Sequence, residues 1–221
     1  MGIIAIEDML TQFGFGQLTH VDLLEEAAGL VPSPQWKRQT KGLPWYPGDT
    51  LITSIGQGFM LTSPLQLANA TASLSLHGRR FQPHLLQLSE DEHGFQSMYQ
   101  PVEEYPIRLK NTDHWTLIIE AMQAVISSQE GTGYRFGRNT PYSVAGKTGT
   151  AQVFSLSQDE HKRNQAVPAA LRDHSLFIAF APVENPEVAL AVIVEHDTTA
   201  SVIARQIMDA YFKLQQPKTQ P

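Results

Sequence analysis

The sequence predicts an α+β fold in which an antiparallel sheet is flanked by helices. Two apolar runs of strand length, "HSLFIAFAP" and "VALAVIVEH", are separated by "VENPE", which is typical of a short turn. A third strand, "YSVAGKTGTAQVF", precedes them, so that three successive strands form a meander. The segment "ASVIARQIMDAYFKL" that follows has the pattern of an amphipathic helix, and we expect it to cover one face of this sheet.

The first fifty residues are expected to form two helices and a long loop. Apolar residues recur at helical spacing over residues 3–10, and "FGFG" then provides a stop signal. A short helix is expected from Asp22 to Ala28, with Gly29 as its C-cap. Residues 30–50 are rich in proline, glycine and aromatic side chains, which favours a surface loop.

Two helices and one broken strand are predicted between this loop and the sheet. "TSPLQLANATASLSLHG" has Thr62 or Ser63 as its N-cap and proline at the first helical position. A strand over "FQPHLLQLSE" is interrupted early by Pro83, and the polar residues 89–104 are expected to form a loop. "TDHWTLIIEAMQAVISS" is the second helix, with Asp113 as candidate N-cap. Its expected apolar face comprises Leu117, Ile118, Met122, Val125 and Ile126.

Composition and charge exclude several classes of function. The 221 residues carry 16 basic and 22 acidic side chains, and this net charge of −6 argues against a nucleic-acid-binding surface. The chain has no cysteine, which excludes disulfides, thiolate metal sites and a cysteine nucleophile. No apolar run reaches the length of a membrane span. The histidines lack metal-ligand spacing, and Glu195-His196-Asp197 has no further ligand at a suitable distance, so we expect no metal and no cofactor.

The segment "VAGKTGTAQVF" contains the most informative motif, and it admits two interpretations. A P-loop requires G-x-x-x-x-G-K-[ST], but Pro141 occupies the position of the first glycine. A P-loop lysine also opens a helix, whereas the residues here suit a strand, so a nucleotide-hydrolysing site remains only an alternative. The other interpretation is K-T-G, the third signature of serine acyltransferases that recognise penicillin.

The residues of this second interpretation fit the binding of an anionic peptide end. The ammonium group of Lys147 attracts a carboxylate, and the hydroxyl group of Thr148 can hold the same carboxylate. Gly149 has no side chain, so that a substrate backbone can lie against the strand and extend the sheet. The N–H of Thr150 can face a developing oxyanion. The sequence therefore predicts Lys147, Thr148, Gly149 and Thr150 as catalytic residues, with Lys147, Thr148 and Thr150 also binding substrate.

The chain resembles the transpeptidase domain of class B penicillin-binding proteins of the elongation type. Four segments carry the resemblance, in the order found in the family: "PGDTLITSIGQGFMLTSPLQLANATASLSLHG", "EGTGYRF", "VAGKTGTAQV" and "DHSLFIAFAPVENPEVALAVIVE". The resemblance implies the penicillin-binding protein and serine β-lactamase-like fold with its N-terminal part missing. Residues 1–214 would form the C-terminal part of the transpeptidase domain, and residues 215–221 would form a disordered tail.

The same resemblance implies a peptidoglycan D,D-transpeptidase, which cross-links stem peptides by serine acyl transfer and is the target of β-lactams. The nucleophile of that family requires Ser-x-x-Lys, and the 221 residues contain neither this motif nor a convincing Ser-x-Asn turn. We therefore expect a C-terminal fragment that is inactive alone. The alternative, of another class, is a non-catalytic binding or interaction module that retains the fold.

For full-length members, the resemblance implies a location at the periplasmic face of the bacterial inner membrane. It implies stem peptides and β-lactams as ligands, a glycosyltransferase of the elongation machinery as partner, and no nucleic acid. The polar loop over residues 155–172 is expected to be a solvated connector or a gate over the site.

Overall fold

The computed structural model describes residues 2–152, 168 and 172–215. The chain divides into two compact units, here called the N-terminal unit (residues 1–112) and the C-terminal unit (residues 113–221). Most of the predicted 155–172 loop and all but the first residue of the predicted tail lie outside the described residues. The helices are α1 (Ile3–Gln12), α2 (Pro34–Lys41), α3 (Pro47–Ser54), α4 (Pro64–Ser75), α5 (Asp113–Ser127), α6 (Tyr134–Gly137) and α7 (Ala200–Gln215). The strands are β1 (Arg80–Phe81), β2 (Leu88–Glu90), β3 (Gln96–Met98), β4 (Glu103–Glu104), β5 (Ala145–Ala151), β6 (His174–Ala181) and β7 (Val188–Val194).

The loop expected over residues 30–50 is wrong, because this segment forms α2 and α3. The Ser33 hydroxyl accepts the N–H of Trp36 at 3.1 Å, and a proline occupies the first turn of each helix. Gly42 ends α2 in the left-handed conformation, with φ of +67°. The buried ammonium of Lys37 joins the two helices through an ion pair with Asp49, at 2.6 Å.

The prediction of a helix from Asp22 to Ala28 is also wrong, because the acidic side chains of this segment accept hydrogen bonds from backbone N–H groups of loops. Asp22 accepts the N–H groups of two residues that follow Pro83, at 2.6 and 2.7 Å, and Glu26 accepts those of Thr19 and His20. Gly29 caps no helix. It precedes a β-bridge between residues 30 and 61, where a Cβ atom would lie 2.4 Å from a carbonyl oxygen.

Helix α4 confirms the prediction made from its capping residues. The Ser63 hydroxyl accepts the N–H of Gln66 at 3.1 Å, and the Gln66 side chain accepts the N–H of Ser63 at 3.0 Å, which is a capping box. The buried side of this helix is largely polar, since only Ala70 among its fully buried residues is apolar. Gln66 is 2% exposed and also donates to the carbonyl oxygens of Gln17 and Ala28, each at 2.7 Å.

Short strands occupy part of the region expected to be a loop at residues 89–104. Strand β1 pairs with β4, and β2 pairs with β3, both antiparallel. Arg80 lies opposite Glu104 and forms an ion pair with it at 2.6 Å. Strands β2 and β3 are exposed along their length, so that polarity alone gave no sign of them.

The C-terminal unit confirms the predicted meander. Strand β6 lies between β5 and β7, and both pairs are antiparallel. Phe177 and Phe180 on β6 are fully buried, as are Ala204 and Met208 on α7. Helix α7 packs against β6 and β7 and covers the sheet as expected.

Helix α5 forms where predicted and packs against β5, but its buried face differs in part from the prediction. Met122 and Ile126 are buried as expected, whereas Leu117 is 61% and Ile118 is 46% exposed. Trp115 and Ile119 are buried in their place. Helix α5 is apolar over most of its circumference, so periodicity did not identify the correct arc.

Candidate functional site

All four residues predicted to form the site lie on β5. In the described sheet this strand pairs with β6 on one side only, so its other side is an edge. Successive side chains of a strand alternate between the two faces of the sheet, and directly paired residues share a face. Thr148 therefore shares a face with its partner Phe177, whereas Lys147 lies on the opposite face with Ile178.

The ammonium of Lys147 lies at the backbone of its own strand. Lys147 is exposed, and its Nζ donates a hydrogen bond to the carbonyl oxygen of Thr148 at 2.8 Å. In an antiparallel ladder, the N–H and C=O of one residue point the same way, either toward the partner strand or away from it. A carbonyl that accepts an ammonium group is expected to be one that the neighbouring strand leaves accessible. This contact favours an arrangement in which Thr148, and with it Thr150, directs its backbone groups to the free edge.

The two glycines of β5 are under different steric constraints. A Cβ atom at Gly146 would lie 3.0 Å from the carbonyl oxygen of Ile178 and 3.1 Å from Cζ of Phe177. A Cβ atom at Gly149 would meet only Leu176, at 3.3 Å from its Cβ. Packing therefore explains the glycine at 146 better than the glycine at 149, which is also exposed.

A residue that the sequence interpretation missed lies against the site. The hydroxyl oxygens of Thr132 and Thr148 are 2.8 Å apart, a hydrogen bond in which either can be the donor. Thr132 belongs to the connection between α5 and α6, sixteen residues before Thr148. The only signal in the sequence was a threonine between two glycines in "EGTGYRF", which by itself indicates a turn.

The start of β5 is fixed to α7 by a partly buried polar network. The Tyr142 hydroxyl donates to Asp209 at 2.7 Å, and the guanidinium of Arg205 binds both oxygens of the same carboxylate at 2.9 Å. Arg205 also donates to carbonyl oxygens of the segment that leads into β5, among them that of Phe136 at 2.7 Å. Burial, followed by the hydrogen bond to Asp209, raises the pKa of the Tyr142 hydroxyl far above its ordinary value. The Tyr142 hydroxyl therefore keeps its proton, and keeps donating, to a higher pH than an ordinary tyrosine does.

The described residues contain no cluster of three or more histidine, aspartate or glutamate side chains that could hold a metal ion. None of the helices among them is long and apolar enough to cross a membrane. Lys147 lies within a strand and does not open a helix, which argues against the P-loop alternative.

A comparison with protein-family models matches residues 1–213 to the transpeptidase domain of penicillin-binding proteins. Among curated proteins, the chain is 40% identical over its whole length to the peptidoglycan D,D-transpeptidase MrdA of Salmonella typhimurium, of which it covers 36%. It is 37% identical over 95% of its length to MrdA of Escherichia coli K12, of which it covers 33%. The chain thus spans about a third of the length of the curated relatives it matches.

Solved structures agree with these matches. Penicillin-binding protein 2 of Pseudomonas aeruginosa, crystallised with the compound WCK 5153, is similar with a TM-score of 0.78 at 36% identity. That match covers 99% of this chain and 46% of the other. Penicillin-binding protein 2 of Helicobacter pylori, in a complex with MreC, is similar with a TM-score of 0.79 at 28% identity, covering 97% and 37% of the two chains. The fold expected from the sequence is confirmed.

Proposed function

Because the chain belongs to the penicillin-binding protein transpeptidase family, we propose that it provides the substrate-binding strand of a peptidoglycan D,D-transpeptidase. In that reaction a serine hydroxyl attacks the carbonyl carbon of the penultimate D-alanine of a stem peptide, and the terminal D-alanine leaves. An amine of a neighbouring stem then takes the acyl group from the serine. A β-lactam is attacked in the same way, but the acyl group stays on the serine.

One observation carries this proposal: Lys147, Thr148, Gly149 and Thr150 lie consecutively on a sheet edge, with the lysine ammonium folded back to that edge. An anionic peptide end that arrives at the edge replaces the carbonyl of Thr148 as partner of the ammonium. A charge-assisted hydrogen bond to a carboxylate is about twice as strong as one between neutral groups. The Thr148 hydroxyl binds the same carboxylate.

The remaining two residues serve the scissile carbonyl. With the backbone N–H of Thr150 directed to the free edge, it is a donor for the oxyanion that forms during attack. The Thr150 hydroxyl contacts the substrate. Gly149, whose position is open except toward Leu176, lets the substrate backbone approach as an added strand.

Residues 1–221 by themselves do not complete acyl transfer. A site that binds the carboxylate and the oxyanion still needs an activated nucleophile. The 221 residues contain no Ser-x-x-Lys and no Ser-x-Asn, the two motifs expected for the serine and its proton-transfer partners. We propose that the activity belongs to a longer protein that contains this chain.

The longer protein is proposed to work at the periplasmic face of the inner membrane, within the cell-wall elongation machinery. Its ligands are stem peptides and β-lactams, and a glycosyltransferase is its proposed partner. The Helicobacter pylori relative, whose structure is a complex with MreC, supports an assembly of this kind.

Labelling with a fluorescent penicillin, followed by denaturing electrophoresis, tests the proposal. We expect a covalent band for the full-length protein that contains residues 1–221 and none for the 221-residue chain. A band from the 221-residue chain would show that it contains its own nucleophile. A full-length protein that folds but gives no band would instead favour a non-catalytic binding module.

A further inference from the structure

The hydrogen bond between Thr132 and Thr148 gives the proposed site a third hydroxyl group. We propose that Thr132 is a positioning residue, which orients the Thr148 hydroxyl toward the substrate carboxylate. This inference rests on the proposed function of Thr148, and it assigns a role to the connection between α5 and α6.

The backbone of this connection is fixed by close contacts, so the position of Thr132 next to Thr148 is a defined feature of the fold. Gly131 and Gly133 press against the end of α5, where Cβ atoms would lie 2.2 Å from the carbonyl oxygen of Val125 and 2.7 Å from Cδ1 of Ile126. The N–H of Gly133 donates to that same carbonyl oxygen at 3.1 Å. The two glycines therefore fix the backbone on both sides of Thr132, and α5 itself packs against β5.

The direction of the hydrogen bond becomes fixed when an anion binds. A carboxylate accepts hydrogen bonds and donates none, so the single hydroxyl proton of Thr148 must point to it. The oxygen of Thr148 is then left as an acceptor, and Thr132 becomes its donor. Hydrogen bonds in such a chain polarise one another, which strengthens the bond from Thr148 to the carboxylate. No proton is transferred between these groups.

Substitution of Thr132 by valine removes the donor while it keeps the branched shape of the side chain. In the full-length protein, we expect Thr132→Val to lower the second-order rate constant for acylation by a penicillin about tenfold. Thr132→Ser keeps the hydroxyl and is expected to stay within about threefold of wild type. The matched control is Thr140→Val, because the Thr140 hydroxyl lies in the next connection, between α6 and β5, and donates to the carbonyl oxygen of Gly137 at 3.1 Å.

A second probe separates positioning from a general loss of structure. A penicillin methyl ester has no carboxylate, so Thr148 has no anion to bind, and Thr132→Val is expected to react with the ester at the wild-type rate. Thr140→Val is expected to leave the ratio of the acylation rate constants for the acid and the ester unchanged. Two results would overturn the role of Thr132. Either Thr132→Val lowers the acylation rate constants for the acid and the ester by the same factor, or it reacts with the acid at the wild-type rate.

The two proposals fail in different ways. The proposed function fails if the wild-type full-length protein is not acylated, or if Thr148→Val leaves acylation by the acid unchanged. The positioning role alone fails if Thr148→Val is slow and Thr132→Val is not. If the two residues act as one unit, Thr132→Val adds little to a protein that already carries Thr148→Val.

Discussion

The two units of the chain are stabilised in different ways. Of the nineteen apolar residues that are buried in the described part of the chain, fifteen lie in the C-terminal unit and four in the N-terminal unit. All eight polar or charged residues that are buried among the described residues lie in the N-terminal unit. The same unit carries seventeen of the twenty-two large apolar side chains found exposed among the described residues. One unit is therefore held by an apolar core, and the other by side chains that satisfy the backbone of loops.

This difference bears directly on the site. Side chains in a close-packed core occupy single rotamers and hold the strands above them in place. Strand β5 follows Tyr142, which is bound to α7, and is paired along its length with β6, whose inner residues are fully buried. A binding strand built on such a core is preorganised, which is what electrostatic stabilisation of a reacting carbonyl requires.

The largest expected effect is the loss of a core side chain in the C-terminal unit. Phe177→Ala is expected to lower the free energy of unfolding by about 4 kcal/mol, because Phe177 is fully buried and stacks on Phe136. Phe95→Ala in the N-terminal unit is the control, since Phe95 is 72% exposed, and it should change stability by less than about 0.5 kcal/mol. Urea unfolding measures both. A similar cost for the two would contradict the contrast between the units.

In the N-terminal unit, the next largest effect is expected from the loss of a buried polar side chain. Gln66→Ala leaves the carbonyl oxygens of Gln17 and Ala28 and the N–H of Ser63 without this partner, at a cost of about 3 kcal/mol. Gln96→Ala removes only an exposed contact to Glu90 and serves as the control. If both substitutions are neutral in urea unfolding, buried polar groups do not stabilise this unit.

The two glycines of β5 separate packing from function. Gly146→Ala is expected to lower the free energy of unfolding by about 2 kcal/mol, because its Cβ would press on Ile178 and Phe177. Gly149→Ala should change stability by less than about 0.5 kcal/mol, yet slow acylation of the full-length protein. Thermal unfolding and penicillin acylation of both variants give the comparison. Unchanged acylation by Gly149→Ala would show that the substrate does not approach the strand there.

The smallest expected effect is a difference between the two units in how their stability depends on pH. In the N-terminal unit, hydrogen bonds from Leu85 and Leu86 lower the pKa of Asp22, so its stabilising contribution is present above about pH 4 and is lost as the pH falls further. In the C-terminal unit the pKa of Tyr142 is raised, so its contribution is present below about pH 10 and is lost as the pH rises beyond it. We expect the unfolding free energy to depend less steeply on pH in each variant. The change should appear at acid pH in Asp22→Asn and at alkaline pH in Tyr142→Phe. Curves parallel to wild type would contradict these assignments.

The C-terminal unit could be predicted from the sequence because its pattern is apolar and regular. The last two strands follow from strand-length apolar runs divided by a turn, and α7 follows from its amphipathic pattern. Lys147 was predicted to lie on a strand because the residues around it suit one. Helix α4 was predicted equally well from Ser63 and the proline after it. The family resemblance rested on the same segments and is confirmed.

The parts that escaped prediction are those where polar contacts between distant residues decide the structure. Helix α2 has no apolar stripe, and its buried residue is Lys37, whose partner Asp49 lies twelve positions away. Asp22 and Glu26 lie in a segment that was predicted to be a helix, but their carboxylates accept hydrogen bonds from backbone N–H groups outside it. Thr132 was missed for the same reason, since only the folded chain brings it to Thr148. The roles predicted for the four residues of β5 stay predictions.

The role of the β5 edge is tested most directly by Lys147→Ala in the full-length protein, with acylation by a fluorescent penicillin as the readout. We expect a loss of about a hundredfold in the second-order rate constant, because the substrate carboxylate loses its cationic partner next to the reacting carbonyl. Lys110→Ala, which removes an exposed ammonium from the N-terminal unit, should react at the wild-type rate. A folded Lys147→Ala protein that acylates as fast as wild type would contradict the assignment of β5 as the binding strand.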